Sequence, residues 1–340
     1  MHVFLTGATG HLGHNLVPSL LDAGHQVTAL VRGDTDLDPR VATVRGDLLD
    51  ALSLVRAGRG CDATIHCAAV YTDDPGRSWE MARASIVGTQ HVLDAAAANG
   101  HRRVVLASSM VTVGFGDSPD DRRDEDDWND RPFHPYFRAK VDGERVAWRH
   151  ADELGVPLVV LCPGGLIGPG DHRTTPTMAF LAELANGTAQ TLSGGVNYVD
   201  VRDVADAFTT ALTEGRPGAR YLVTGECLPM RELGQLMRLL TGRRPVHLPL
   251  PRRLVLGMAW LTQPDRYPMA WESVDRWPSF RSDRAREELA FYPRPVEEAL
   301  ADAVRWLALQ GALSPEALSA LDGRLDPHLH APEEALHVSV

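Results

Sequence analysis

The stretch HVFLTGATGHLGHNLVPSLLDAGHQVTALVR, residues 2 to 32, decides how the chain is read. An apolar run, His2 to Thr6, meets three glycines at positions 7, 10 and 13. A segment with helical spacing follows from Gly13 to Ala23, then a second apolar run from Gln26 to Val31. Strand, glycine turn, helix and strand make a βαβ unit, whose two strands must be parallel because a helix carries the chain back between them. Glycine spacing alone is weak, since many turns use it; its place after the first strand of such a unit gives it chemical meaning. Gly7 permits the tight turn, Gly10 lets backbone approach a pyrophosphate, and Gly13 lets helix pack closely on sheet. The amides of His11 and Leu12, at the helix start, then face the phosphates. For His11 the amide, rather than the imidazole, is the expected contributor. At the end of the second strand stands Arg32, where an acid would accept the ribose hydroxyl of NAD. A guanidinium there suits a 2′-phosphate, so NADP is the expected cofactor, with NAD kept open by nearby Asp34.

Working outward, short apolar runs recur at Ala42 to Val44, Ala63 to Cys67, Arg103 to Ala107, Leu158 to Leu161 and Arg220 to Thr224. Helical patterns separate them, most clearly Ser85 to Ala98 and Tyr136 to Glu153. This alternation predicts an α/β fold: a Rossmann-type doubly wound parallel sheet with ligands at the strands' carboxyl ends. After Pro163 the rhythm breaks into glycine and proline, predicting a smaller mixed C-terminal substrate domain. Residues 1–165 plus 198–224 are assigned to the dinucleotide-binding domain, 166–197 plus 225–322 to the substrate domain, and 323–340 to a flexible tail. The acidic stretch Asp117 to Asp130 reads as a solvated loop, with a mobile lid as the alternative.

Lys140 is the only lysine in a chain with 34 lysines and arginines together. Tyr136 lies four residues before it, which on a helix puts both side chains on one face. With six tyrosines in 340 positions, chance would place the lone lysine there only about 2% of the time, so the pair demands a chemical reason. A phenol with its ordinary pKa near 10 needs a nearby cation to exchange protons at neutral pH. Lysine supplies a compact charge, and its three donors can also hold a ribose. Ser108 and Ser109 end the fifth predicted strand, where a hydroxyl can orient a carbonyl. Phe115, Phe133 and Met178 are candidates for an apolar pocket, with a core or surface-loop place the equal alternative for each; His134 reads as an ordinary loop histidine.

Composition narrows the classes further. The net charge of −11 argues against nucleic acid, which requires clustered basic surface. Four cysteines, at 61, 67, 162 and 227, show no paired spacing and are expected as free thiols of a cytoplasmic protein. No secretory signal is evident, no metal site is expected, and the longest uncharged apolar run, Leu254 to Leu261, is far short of the roughly 20 residues that span a bilayer.

These features together resemble the extended short-chain dehydrogenase/reductase family, in particular its dihydroflavonol 4-reductase-like branch. The resemblance is carried by TGATGHLG at 6–13, GDLLD at 46–50, HCAA at 66–69, SSMVTVG at 108–114, YFRAK at 136–140, GPGD at 168–171 and YVDVRDVADA at 198–207. RYLVTGE at 220–226 and SDRAREEL at 282–289 continue it. It implies Ser109 as the carbonyl-orienting hydroxyl, Tyr136 as acid/base and Lys140 as its partner. It further implies adenine contacts at Asp47 and Leu48, a cofactor lining at Ala68 and Ala69, Pro163 just after the strand beside the nicotinamide, and a homodimer. Nucleotide-sugar members carry an asparagine and an arginine where this chain has Gly164–Gly165 and Val196. The family's NVxGT motif reads Ser85 to Thr89, and Cys162 replaces a polar residue. The expected activity is NADP(H)-dependent interconversion of a carbonyl and an alcohol. The rivals are a sugar epimerase or dehydratase with tightly bound NAD(P), and a non-catalytic NADP-sensing regulator.

Overall fold

The computed structural model of the 340-residue chain describes residues 1–70, 75–243 and 245–322. The opening unit folds as β1 (His2–Thr6), α1 (His11–Asp22) and β2 (Gln26–Val31). Then come β3 (Ala42–Arg45), α2 (Ala51–Ala57), β4 (Ala63–His66), α3 (Ser78–Arg83), α4 (Thr89–Asn99), β5 (Val104–Ala107), α5 (Pro135–Leu154) and β6 (Leu158–Pro163). One π turn, Ala84–Gly88, joins α3 to α4. The second half holds β7 (Gly165–Ile167), α6 (Pro176–Ala185), β8 (Gln190–Thr191), β9 (Gly195–Asp200), α7 (Val201–Ala211) and β10 (Arg220–Val223). It ends with β11 (Cys227–Pro229), α8 (Met230–Thr241), β12 (Val246–His247), α9 (Arg252–Thr262), α10 (Tyr267–Ser273), α11 (Asp283–Leu289), α12 (Val296–Leu309) and α13 (Pro315–Asp322).

Seven strands form one parallel sheet in the order β10-β6-β5-β4-β1-β2-β3. Because helices cover both faces, its strands are buried along their length rather than on alternate residues: every residue of central β4 and of edge strand β10 is buried, including Thr64, His66 and Arg220. The two-residue period still sorts side chains by face. Val3 and Leu5 join the core beneath α1 and α7, whereas Phe4 joins Leu54 of α2 and Val92 of α4 on the other side. The strand order reverses between β1 and β4, with Thr6 and His66 in register at their carboxyl ends. That switch point opens a crevice for a ligand.

A second core gathers Ile167, Met178, Leu181, Leu233, Met237 and Val304 under α6, α8 and α12. It backs the small sheet β11-β9-β7. Tyr198 to Asp200 therefore belong to the small sheet, and the return to the central one is made by β10 after α7 has packed on α1. The expected helix over 85–98 is interrupted at its start by the π turn. The acidic stretch is the solvated surface segment expected, with Asp117, Asp126 and Asp130 exposed, but it is tied down. Gly116 and Arg123 bridge to Trp277 and Phe280, and Arg276, Arg281 and Arg284 pair with Asp117, Asp124 and Asp126. Residues 323–340, expected as a tail, lie outside the described residues. Among those described, all four cysteines are free, and no helix is long and apolar enough to cross a membrane.

Candidate active site

The glycine turn sits at the switch point. Gly7 has a φ of +85°, and a Cβ there would lie 2.5 Å from the Ala68 nitrogen; on Gly13 it would lie 2.0 Å from the Gly7 carbonyl oxygen. The fold itself excludes a side chain at both. Gly10 differs: its φ of −87° is ordinary, and the nearest atom to a Cβ would be 3.4 Å away. Packing does not demand glycine there, so the bare backbone is explained by close approach of a ligand. No side chain caps α1, which leaves the amides around His11 and Leu12 available to phosphate oxygens. The donor set thus fits a dinucleotide. The His11 imidazole is engaged elsewhere: it is buried and its Nε2 meets the Pro169 carbonyl oxygen at 3.1 Å.

Ala68 and Ala69 follow β4 beside Gly7. Arg32 is exposed immediately beyond β2, while Asp34 pairs with Arg45 at 2.6 Å. Asp47 is exposed after β3 and accepts the Leu49 amide; Leu48 packs against the cluster of Phe4, Leu30 and Leu54. Pro163 is the last residue of β6, in register with Val223, rather than the residue after the strand. A strand end tolerates the missing N–H.

α5 begins with Pro135 and is capped by His134, whose Nδ1 accepts the Tyr136 amide at 3.2 Å. His134 is therefore a buried helix cap, a role that the loop reading missed. One and two turns on, Lys140 and Glu144 continue the stripe begun by Tyr136. Lys140 donates from Nζ to the Ala107 carbonyl at 3.3 Å, at the end of β5. Ser109, two residues further, hydrogen-bonds the Tyr136 side chain. Burial raises the Tyr136 phenol above its ordinary value, opposed by the Ser109 bond, and burial lowers Lys140, opposed first by the Glu144 charge. Burial and the Lys140 charge push His66 down to about 3, and burial pushes the Cys67 and Cys162 thiols up to about 12.

Glu144 was not anticipated from the sequence. It is 2% exposed, accepts hydrogen bonds from Ser108 and from Trp148 Nε1, and lies 2.7 Å from Arg220 Nε. Arg220 in turn donates to the Glu125 and Asp127 carbonyls and to Thr112, and covers the Trp128 ring. The acidic stretch is thereby tied to β10 and α5. A signal existed in an arginine opening an otherwise apolar strand and a glutamate four residues after Lys140.

The profile described as "NAD dependent epimerase/dehydratase family" matches residues 3–224. The chain belongs to this family. "Sterol demethylase protein B" of Methylococcus capsulatus is 32% identical over 332 residues, covering 92% of this chain and 100% of that protein. "Cinnamoyl-CoA reductase 1" of Petunia hybrida is 30% identical, with 92% and 93% covered. The crystal structure of gox2253 superposes with a TM-score of 0.82 at 26% identity, covering 92% and 99%. The Rossmann-type fold, extended short-chain dehydrogenase/reductase membership and NAD(P)-dependent oxidoreductase character follow.

A cluster of rings stands just before α5 of this epimerase/dehydratase-family chain. Phe133 meets Tyr267 and Trp271 edge-on, with centroids 5.9 and 6.2 Å apart, and Glu272 accepts the Phe133 and His134 amides. Phe115 instead packs inward on Phe137 and Phe280. Met178 is fully buried in the second core. A Cβ on Gly164 would meet Asn197 Oδ1 at 2.6 Å, yet that buried amide is spent on Gly225 and Pro278.

Proposed function

We propose that the protein reduces a ketone or aldehyde on an apolar, ring-bearing molecule to the alcohol, with NADPH as preferred reductant. The observation carrying this reading is the contact between Tyr136 and Ser109, with Lys140 one turn further along α5; the Phe133–Tyr267–Trp271 rings, which begin just before α5, support an apolar, ring-bearing substrate. When bound, the dihydronicotinamide supplies hydride to the carbonyl carbon. Ser109 holds the carbonyl oxygen, and Tyr136 Oη delivers the proton as charge grows there. Lys140, kept cationic by Glu144, stabilises the phenolate left on Tyr136 and holds the ribose. The same groups run the oxidation backwards. Arg32, with Asp34 drawn away to Arg45, supports NADP over NAD.

Nucleotide-sugar epimerisation is less favoured because Gly164, Gly165 and Val196 offer no side-chain partner for a diphosphate, and Asn197 is fully engaged. A sensor without catalysis would not need the Tyr136–Lys140 pair. The dinucleotide and substrate domain division, the homodimer and the cytoplasmic location are further parts of this proposal; light scattering checks the dimer. For the activity, purified protein is given NADPH and a panel of aromatic, alicyclic and small carbonyls beside a nucleotide sugar, with Tyr136→Phe as control. Bulky apolar carbonyls should consume NADPH in the parent alone. The reading fails if no carbonyl does so while the sugar is isomerised.

A further inference from the structure

The GPGD motif at 168–171 crosses onto the first turn of α1. The Pro169 carbonyl oxygen accepts from Asn15 Nδ2 at 2.9 Å and from His11 Nε2 at 3.1 Å. Acceptance by a carbonyl puts a proton on His11 Nε2; burial lowers the pKa of the ring, and its buried Nδ1 has no hydrogen-bond partner, which together favour the neutral imidazole. Gly170, at a φ of +86°, has Asn15 Nδ2 2.7 Å and His14 Cδ2 2.8 Å from where a Cβ would stand; a side chain would lift the loop off the helix. Asp171 then turns the chain, its Oδ2 accepting the Thr175 amide and hydroxyl at 2.7 Å each. Between them, Thr174 sits at a φ of +51°, a conformation that a β-branched residue rarely adopts.

This anchoring presents Arg173 to the glycine turn. Its Nη2 donates to Thr9 Oγ1 at 3.2 Å, across 164 residues of sequence. Arg173 is exposed and makes no ion pair with any carboxylate among the described residues, unlike the arginines that fasten the acidic stretch. An unpaired guanidinium beside a turn whose backbone is open at Gly10, and whose helix start carries uncapped amides, meets the requirements of an anion site from a second direction.

We propose that Arg173 is a phosphate-binding residue for the cofactor, closing from the 168–175 loop onto the pyrophosphate carried by the Gly7–Gly13 turn. The proposal rests on dinucleotide binding at that turn. The Thr9 hydroxyl is the resting partner, exchanged for phosphate oxygens when the ligand arrives. A neutral hydrogen bond is thereby replaced by charge-assisted ones, which are about twice as strong. The strained Thr174 holds the guanidinium over the turn instead of in solvent.

The test measures dissociation constants of NADPH, NADH and ADP-ribose by calorimetry on the full chain. ADP-ribose carries the pyrophosphate without nicotinamide or 2′-phosphate. Arg173→Gln should weaken all three by roughly tenfold, the loss expected for one charged hydrogen-bond partner. Thr9→Val should leave all three unchanged or slightly tighter, because it removes only the resting partner. Equal weakening in both variants would mean a structural tie between loop and turn, overturning the proposal. Loss confined to NADPH would place Arg173 on the 2′-phosphate and also overturn it, as would unchanged binding in Arg173→Gln. If the parent chain bound none of the three, the dinucleotide reading itself would fall, and the Arg173 assignment with it.

Discussion

Behind Lys140 the structure is cross-linked by buried charge, whereas around Trp271 it is held by ring edges and one carboxylate. On the first side, Glu144 and Arg220 between them join α5, the end of β5, β10 and the acidic stretch. On the second, α9 buries only Leu256 and α10 buries no residue, while Leu254, Met258, Trp260 and Leu261 are 50 to 73% exposed. Proton transfer needs groups fixed to within a fraction of an ångström, and a buried polar network provides that only if every member is satisfied. Recognition of an apolar surface tolerates a looser wall. The two sides meet at His134, which caps α5 while its own amide is held by Glu272 of α10.

The largest expected effect is at the chemistry. Tyr136→Phe removes the proton donor and should lower kcat by about 10²–10⁴-fold. NADPH affinity, read by calorimetry, should change little, since the lost hydroxyl faces substrate. Next comes the cross-link behind it. Glu144→Ala strands the Arg220 guanidinium in the interior, and breaking a buried pair this way costs about 3–5 kcal/mol in chemical denaturation. Glu144→Gln, which keeps the shape, reports on the charge. The Glu144 charge raises Lys140 against the lowering effect of burial. Without it Lys140 loses its proton at lower pH, so the alkaline fall of kcat/KM should move downward. An alkaline limb that stays in place would make Glu144 a structural brace alone.

On the looser wall the expected effects shrink and change kind. Trp271→Ala deletes a ring that contacts Phe133 and Tyr267 and carries Arg252 over its face. It should raise KM for ring-bearing carbonyls by about five- to tenfold, in line with the energy of one aromatic contact, and leave kcat within about twofold. An equal fall in kcat would show that Glu272 transmits the change to the α5 cap, and the two walls would then be one unit.

The same contrast explains what the sequence disclosed. The βαβ opening, the strand runs and the Tyr136–Lys140 spacing were legible because each is a local pattern with one dominant physical cause. Strand ends moved by a residue or two, as at Pro163, because pairing with β10 carried β6 past its apolar run. Glu144, Arg220 and His134 were opaque for a different reason. The roles of Glu144 and Arg220 depend on partners 36 to 108 residues away in sequence; His134 caps α5 through an amide only two residues on, but is held in place by Glu272, 138 residues away. Met178 stayed open between pocket and core because a residue suited to one is equally suited to the other, and only the packing of α6 on α8 and α12 decides between them.

The smallest effect is expected at Leu261, 73% exposed near the end of α9. An exposed leucine contributes little to folding, so Leu261→Ser should change stability by no more than about 0.5 kcal/mol, and small carbonyls should be turned over as before. The comparison gives this modest prediction its weight. If α9 were fixed like α5, the same substitution would open a packed contact and cost about 2 kcal/mol or more. Urea denaturation at two protein concentrations separates the cases. A concentration-independent change under about 0.5 kcal/mol supports a loosely held wall. A larger loss that grows on dilution would show Leu261 buried between copies of the chain, since association stabilises by mass action. The looseness would then belong to the isolated subunit rather than to the substrate side of the site.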